Sequence, residues 1–185
     1  APAGRESLIQ NAIVPLLDHF GQSPAIFGWD AANEPEWAMK GVFPRVSHPV
    51  EDSAMKSFVR EIACEVHRRT VHPITLGAAS TQTVRIWRNL DLDFFQVHYY
   101  PWMEPFSPLS KSVSSLRLDR PVLLGEFPTS DPRGIPKVLN MARKAGYIGA
   151  LGWSKNAETD ANVRQNYPEV ACDFAEWARE EGLLG

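Results

Sequence analysis

The sequence has little of what marks a nucleic-acid-binding, membrane-spanning or disulfide-rich protein. Lys and Arg total 19 against 22 for Asp and Glu, and no basic tract stands out, so we expect no nucleic-acid partner. The apolar runs are far shorter than the roughly 20 residues that cross a bilayer, so we expect no membrane insertion. Only two cysteines occur, Cys64 and Cys172, and we predict that both are unpaired and buried in helices.

Other absences narrow the chemistry. The first four residues, 1–4, follow no apolar segment, so no signal peptide is predicted, and localisation stays open between secreted and cytoplasmic. The histidines and cysteines lack the spacing of metal ligands, so we predict no metal and no cofactor. No Gly-rich phosphate loop follows the first predicted strand, which argues against an unrelated doubly wound nucleotide-binding fold.

Hydrophobic periodicity predicts alternating helices and strands in one α/β domain, residues 1–185. The predicted helices cover 5–20, 51–69, 82–90, 109–118, 133–145 and 167–181, and the predicted strands 25–30, 73–77, 92–98, 121–126 and 147–153. Five strands that alternate with helices are typical of parallel strands with crossover helices.

Two of the predicted strands lead into a glutamate that a proline follows closely. The first leads into Asn33-Glu34-Pro35, and Pro35 predicts an extended backbone at Glu34. The second leads into Glu126-Phe127-Pro128. Two carboxylates at strand exits suggest a pair that faces one pocket, which is the minimal equipment for cleaving a glycosidic bond.

Four motifs occur in one order, each at the exit of a predicted strand. They are Trp29-Asp30-Ala31-Ala32-Asn33-Glu34-Pro35, His98-Tyr99-Tyr100, Gly125-Glu126-Phe127 and Trp153. This set resembles the clan A (β/α)8-barrel glycoside hydrolases, especially the family 5 cellulases and mannanases. In that clan the corresponding motifs close strands four, six, seven and eight, so the resemblance implies a partial TIM barrel, with five parallel strands equivalent to strands 4–8.

The resemblance implies that Glu34 and Glu126 are the catalytic residues of a retaining β-glycoside hydrolase acting on glucan or mannan. Glu34 would be the acid/base, and Glu126 would be the nucleophile that forms a glycosyl-enzyme intermediate. Retention requires the two carboxyl groups to lie about 5–5.5 Å apart. The mechanism also requires a raised pKa at Glu34, which a nearby negative Glu126 would supply in part.

The resemblance also implies substrate contacts around this pair. Asn33 would hydrogen-bond the sugar 2-hydroxyl, and Tyr100 would donate to Glu126 and fix its orientation. His98 would bind the sugar or support the acid/base. The competing interpretations are a capped turn for Asn33 and a hydrogen-bonded core side chain for His98.

Three tryptophans are candidates for stacking against sugar rings. Trp153 would form the floor of the site, and its competing interpretation is ordinary core. Trp37 and Trp102 lie on loops after strands and are predicted as more distant platforms.

The chain departs from the family because it supplies five strands where a barrel needs eight. An arginine that the family carries on strand two has no counterpart here. Three interpretations follow: a piece of a longer enzyme, a shortened relative forming a smaller barrel or open sheet, or a barrel that another chain completes. Exposed strand edges predict a homo-oligomer or direct contact between the edges. Because supporting residues are missing, the alternative function is a non-catalytic carbohydrate-binding or scaffold relic of a glycosidase.

Overall fold

A computed structural model describes residues 2–42, 46–129, 131–153, 175–180 and 182. These residues divide between two compact units. The first unit comprises Ala1–Gln96 with Leu118–Pro121, and the second comprises Val97–Arg117 with Val122–Gly185. Hydrogen-bonded strands follow chain order, β1-β2-β3-β4-β5, which agrees with the predicted succession of strands.

The first unit contains two parallel strands covered by a long amphipathic helix. Its elements are α1 (Pro2–Leu8), α2 (Val14–Phe20), β1 (Trp29–Asn33), α3 (Asp52–Arg69), β2 (Ile74–Ala78) and the start of β3 (Phe95–His98). In the parallel pair, Trp29 of β1 lies opposite Ile74 of β2. Helix α3 buries residues spaced by three and four, and this face packs on both strands. The buried residues are Val59, Ile62, Ala63 and Val66.

The N-terminal helix predicted over 5–20 is divided by a π-helical turn at Ile9–Ile13. Pro15 lies in the first turn of α2 and has no N–H to bond back into the preceding turn, which explains the irregularity there. The predicted end at Gly21 is confirmed, since its N–H donates to the Leu17 carbonyl at 2.8 Å. A Cβ at Gly21 would lie 2.5 Å from that oxygen, so only glycine fits.

The strand predicted over 25–30 is wrong at both ends, because β1 covers Trp29–Asn33. The Ala25 N–H donates to the Ser23 hydroxyl at 3.3 Å, and the Ile26 N–H donates to the Ser23 carbonyl at 3.2 Å. This turn uses the donors that a strand ladder would need. Pairing begins where the Trp29 N–H donates to the Pro73 carbonyl at 2.9 Å.

The second unit repeats the parallel strand and helix arrangement. Its elements are the end of β3, β4 (Val122–Pro128), α4 (Ile135–Ala145) and β5 (Ala150–Trp153). Strands β4 and β5 are parallel, with Leu124 opposite Ala150. The helix predicted over 133–145 is confirmed with a 3-10 turn at its start, and it ends at Gly146, whose φ of 95° favours glycine.

The helices predicted over 82–90 and 109–118 are present only as short 3-10 turns, at Val84–Trp87 and Val113–Leu116. A third 3-10 turn covers Pro101–Met103, and none of the described residues between β2 and β4 is α-helical. Asn89 and Asp91, which follow the turn at Val84–Trp87, adopt positive φ angles of 61° and 63°. These backbone angles are incompatible with continuing a right-handed helix past that turn.

Three further predictions concern exposure and the end of the chain. The predicted burial of Cys64 is wrong, because this free cysteine lies on the exposed side of α3. Cys172 and most of the helix predicted over 167–181 lie outside the described residues. The described part of that predicted helix, residues 175–180, is helical. In the part of the chain that is described, no helix has the length and apolar character needed to cross a membrane.

Candidate functional site

A bulge in β1 leads into the first candidate residues. Asp30 lies opposite Thr75, and Asn33 lies opposite Gly77, so three steps along β1 face two steps along β2. One extra residue therefore interrupts the ladder just before Asn33 and Glu34. Such bulges bend the strand and redirect the side chains that follow.

The carboxylate of Asp30 compensates for the interrupted ladder. Its Oδ1 accepts the Gly77 N–H at 3.2 Å and the Ala32 N–H at 3.1 Å. Its Oδ2 accepts the Gln96 Nε2 amide at 2.5 Å. Asp30 thus connects β1 to β2 and β3, a role that sequence reasoning missed because an acidic residue within an apolar run carries no distinguishing signal.

Glu34 does not adopt the extended conformation predicted from Pro35. Its φ of 45° and ψ of 51° place it in the left-handed region, which costs a side-chain-bearing residue about 1–3 kcal/mol. Two backbone hydrogen bonds override the local preference. The Glu34 N–H donates to the Gly77 carbonyl at 2.7 Å, and the Glu34 carbonyl accepts the Trp37 N–H at 3.2 Å, which opens the 3-10 turn Pro35–Ala38.

The side chain of Glu34 is held by Trp37. The Trp37 indole N–H donates to Glu34 Oε2 at 2.5 Å, and both side chains are half-buried. Sequence reasoning proposed Trp37 only as a sugar platform and missed this contact. Asn33 ends β1 with an exposed side chain, and its sugar contact stays a prediction.

A second glutamate in the same turn also escaped sequence reasoning. Glu36 is fully buried, and its Oε1 accepts the Trp87 indole N–H at 2.8 Å and the Ala79 N–H at 3.3 Å. Glu34 and Glu36 are two residues apart in one short turn, and nothing in the sequence indicates which of the two carboxylates is buried.

In the second unit, Glu126 lies between two side chains from the end of β3. The Tyr100 hydroxyl donates to Glu126 Oε1, which is the hydrogen bond predicted from the sequence. His98 Nδ1 lies 3.4 Å from Glu126 Oε2, a contact that sequence reasoning did not foresee. The Tyr99 N–H donates to the Glu126 carbonyl at 2.9 Å, which fixes the register of β3 against β4.

The side chains of His98 and Glu126 are largely shielded from solvent. His98 is 3% exposed, and the Glu126 side chain is 12% exposed. On the neighbouring residue, burial together with a hydrogen bond to Glu104 raises the pKa of Tyr99 to about 12. Tyr99 therefore remains neutral at physiological pH, next to a carboxylate that Tyr100 and His98 orient.

Two exposed tryptophans lie on the second unit. Trp102 is 59% exposed, with its ring 5.7 Å from that of Phe106. Trp153 ends β5 and is 41% exposed, and its carbonyl accepts the Thr129 N–H at 3.2 Å and hydroxyl at 2.8 Å. Their roles as stacking surfaces stay predictions. Within the described ranges, no group of three or more His, Cys, Asp or Glu side chains is placed to hold a metal ion.

The fold of the chain is part of a (β/α)8 barrel, as predicted. An endo-1,4-β-mannanase from Eisenia fetida matches with a TM-score of 0.71 at 24% identity, covering 91% of this chain and 57% of that one. An endo-1,4-β-mannanase from Rhizomucor miehei matches with a TM-score of 0.62 at 15% identity, covering 96% and 64% of the two chains. At these identities the likeness shows the fold alone.

Sequence comparison leads to the same group of enzymes. No protein-family model matches the chain. A mannan endo-1,4-β-mannosidase from Mytilus edulis is 26% identical over 81% of this chain and 52% of its own length. The chain therefore spans about half the length of this curated relative. These matches agree with the resemblance to barrel glycoside hydrolases, while the assignment to family 5 and to strands 4–8 stays a prediction.

Proposed function

We propose that this chain is the part of a retaining endo-β-1,4-mannanase that carries both catalytic carboxylates. The observation that carries the proposal is the paired restraint of Glu126, which meets the Tyr100 hydroxyl through one oxygen and His98 through the other. The similar proteins are named as mannanases, which favours mannan over glucan as the polysaccharide. In (β/α)8-barrel enzymes, residues at the carboxyl ends of strands carry the chemistry.

Glu126 acts as the nucleophile in this proposal. A nucleophilic carboxylate must direct one oxygen at the anomeric carbon while the glycosidic bond breaks. Contacts from Tyr100 and His98, one to each oxygen, fix the plane of the carboxylate and so support that assignment. The low exposure of Glu126 and His98 keeps bulk water from competing for these contacts.

Glu34 acts as the acid/base. It protonates the leaving oxygen as Glu126 attacks, and then deprotonates the water that releases the sugar from Glu126. The bulge before Glu34, its left-handed backbone and the Trp37 indole restrain this carboxylate and support that role. Asn33 contacts the sugar 2-hydroxyl, and Trp153, Trp102 and Trp37 offer rings for stacking.

Kinetics with two leaving groups test these roles. We expect the wild type to release reducing ends from β-1,4-mannan. In kcat/KM, which reports the steps up to the glycosyl-enzyme, E34A loses about 100- to 10,000-fold on mannan, whose leaving oxygen needs a proton. It loses much less in kcat/KM on a dinitrophenyl β-mannoside, whose leaving group needs none. E126A loses activity on both substrates, because no glycosyl-enzyme intermediate forms.

The matched control is E6A, which removes an exposed glutamate from α1. It leaves both activities unchanged. Equal losses of E34A on the two substrates would contradict the acid/base role, and an E126A variant as active as the wild type would contradict the nucleophile role.

The exposed aromatic surfaces of Trp102 and Trp153 favour one second candidate, a carbohydrate-binding protein without catalysis. In that case wild type and E126A are equally inert, and mannohexaose changes the tryptophan fluorescence of both. W102A then weakens the fluorescence change, because a stacking surface is lost.

A further inference from the structure

The turn after Glu34 carries a second carboxylate in a different environment. Glu36 is 0% exposed, whereas Glu34 is half-buried. Glu36 Oε1 accepts two hydrogen bonds, from the Trp87 indole and the Ala79 amide, while its Oε2 has no hydrogen-bond partner. Burying a carboxyl group is costly, and a half-satisfied one more so.

Glu36 is held by neutral donors alone. No Lys, Arg or His of the described residues forms an ion pair with it. Replacing Glu36 by an apolar side chain would leave the Trp87 indole and the Ala79 amide without acceptors, at about 1–3 kcal/mol for each buried donor. The two hydrogen bonds therefore fix the turn that carries Glu36 to the segments that carry these donors.

The partners of Glu36 show what it holds in place. Ala79 follows the end of β2, and Trp87 ends the 3-10 turn Val84–Trp87 and is 1% exposed. The Glu34 N–H bonds to Gly77, two residues before Ala79. Glu34 and Glu36 are thus anchored to neighbouring points at the end of β2, one through its backbone and the other through its side chain.

We infer that Glu36 is a positioning residue for Glu34. By fixing the Pro35–Ala38 turn against Ala79 and Trp87, its carboxyl group holds Glu34 in the left-handed conformation and keeps the Trp37 indole on Glu34 Oε2. The catalytic consequence rests on the proposed function of Glu34, whereas the structural consequence does not.

Three variants separate positioning from packing. E36L removes both hydrogen bonds but fills the space, W87F removes one donor, and E36Q keeps an oxygen that can accept both N–H groups. We expect E36L to lower kcat on mannan by about 100-fold with little change in KM, because a misplaced acid/base affects the chemical step. E36Q restores most of the wild-type rate.

A second measurement works without turnover. In ¹H–¹⁵N spectra, the indole resonance of Trp37 reports its hydrogen bond to Glu34, W37F assigns the peak, and E34A gives its position when the bond is absent. We expect E36L to move this peak toward the E34A position and E36Q to leave it in place. A wild type that hydrolyses no mannan, but whose Trp37 peak responds in this way, refutes the proposed function and retains the positioning role.

The inference is overturned if folded E36L keeps the wild-type Trp37 resonance, whether or not the chain is active. A loss of activity in E36L that E36Q fails to restore also counts against it. If circular dichroism shows that E36L does not fold, W87F decides by the same resonance: movement toward the E34A position supports the inference, and an unchanged peak overturns it.

Discussion

Each candidate catalytic carboxylate is restrained by an aromatic side chain from its own unit. Trp37 donates its indole N–H to Glu34, and Tyr100 donates its hydroxyl to Glu126. Hydrogen bonds to charged groups contribute about 1.5–3 kcal/mol, more than those between neutral groups. Individual residues therefore give the first tests of the mechanism.

Trp37→Phe removes the indole donor while keeping an aromatic ring. Because that N–H favours the ionised form of the carboxylate, its loss makes the proton on Glu34, the proposed acid/base, harder to remove. We expect the alkaline limb of the kcat/KM profile on mannan to move to higher pH. Trp102→Phe, at an exposed position, is the control and leaves the limb in place; a limb that moves to lower pH in W37F contradicts the assignment.

Tyr100→Phe removes the hydroxyl that orients Glu126. Loss of a hydrogen bond to a charged group predicts a fall in kcat/KM of about 10- to 100-fold. Tyr99→Phe is the matched control, since the Tyr99 hydroxyl meets Glu104 instead. If Y99F and Y100F reduce kcat/KM equally, orientation of Glu126 by Tyr100 is the wrong explanation.

His67 on α3 gives a stability test that is independent of catalysis. Burial disfavours its charged form, but Asp93 and Asp91 outweigh burial and raise the pKa of His67 above 6.5. For Asp93, burial is likewise outweighed, by His67 and the Ile74 N–H, so the pKa of its carboxyl is lowered below 3.8.

The signs of these two shifts define a pH window. The contribution of His67 is complete below pH 6.5 and is lost as pH rises through its raised pKa. The contribution of Asp93 is complete above pH 3.8 and is lost as pH falls through its lowered pKa. Urea unfolding should therefore show the largest gap between wild type and H67Q between these values, and a gap that grows above pH 7 contradicts the pairing.

At the scale of elements, β1 determines where Glu34 points. Its bulge shifts the ladder by one residue, and the Asp30 carboxylate accepts hydrogen bonds from the Gly77 N–H and the Gln96 side-chain amide. Since side chains alternate along a strand, a one-residue change moves every later side chain to the other face. The bulge is therefore part of the arrangement that presents Asn33 and Glu34.

A double-mutant cycle of Asp30→Ala and Gln96→Ala tests the hydrogen bond between these two side chains. Each variant breaks the contact between β1 and β3, so the double variant should lose less stability than the sum of the single variants. We expect a coupling energy of about 1 kcal/mol from urea unfolding, given the exposure of Asp30. Additive losses would mean that the two residues act independently.

The sequence predicted elements better than the details that local pattern cannot encode. Apolar runs located β2 to β5, and the spacing of apolar residues located α3 and α4. The start of β1 was missed because Ser23 forms a turn that consumes the donors of Ala25 and Ile26. The backbone of Glu34 was missed because contacts with Gly77 and Trp37 outweigh the preference that Pro35 imposes.

For the site, Glu34 and Glu126 were indicated because each follows an apolar run at a strand exit, and Tyr100 was indicated by the resemblance to the barrel glycoside hydrolases. Asp30 and Glu36 were missed for a physical reason. Their partners, Gln96 for Asp30 and Trp87 for Glu36, come from distant segments, so only folding shows that these acidic residues form internal contacts.

At the scale of the whole molecule, the chain contains two units that each carry one candidate carboxylate. Glu34 lies in the first unit and Glu126 in the second. The chain spans about half the length of the Mytilus edulis relative and 57% of the Eisenia fetida structure.

The anomeric form of the first sugar released from mannohexaose tests that mechanism most directly. Carboxyl groups about 5–5.5 Å apart give retention through a glycosyl-enzyme intermediate, while a wider gap leaves room for water and gives inversion. Early ¹H NMR spectra should show the β-anomer of the new reducing end, before mutarotation forms the α-anomer. First release of the α-anomer, or no release at all, would contradict the pairing of Glu34 with Glu126 as acid/base and nucleophile.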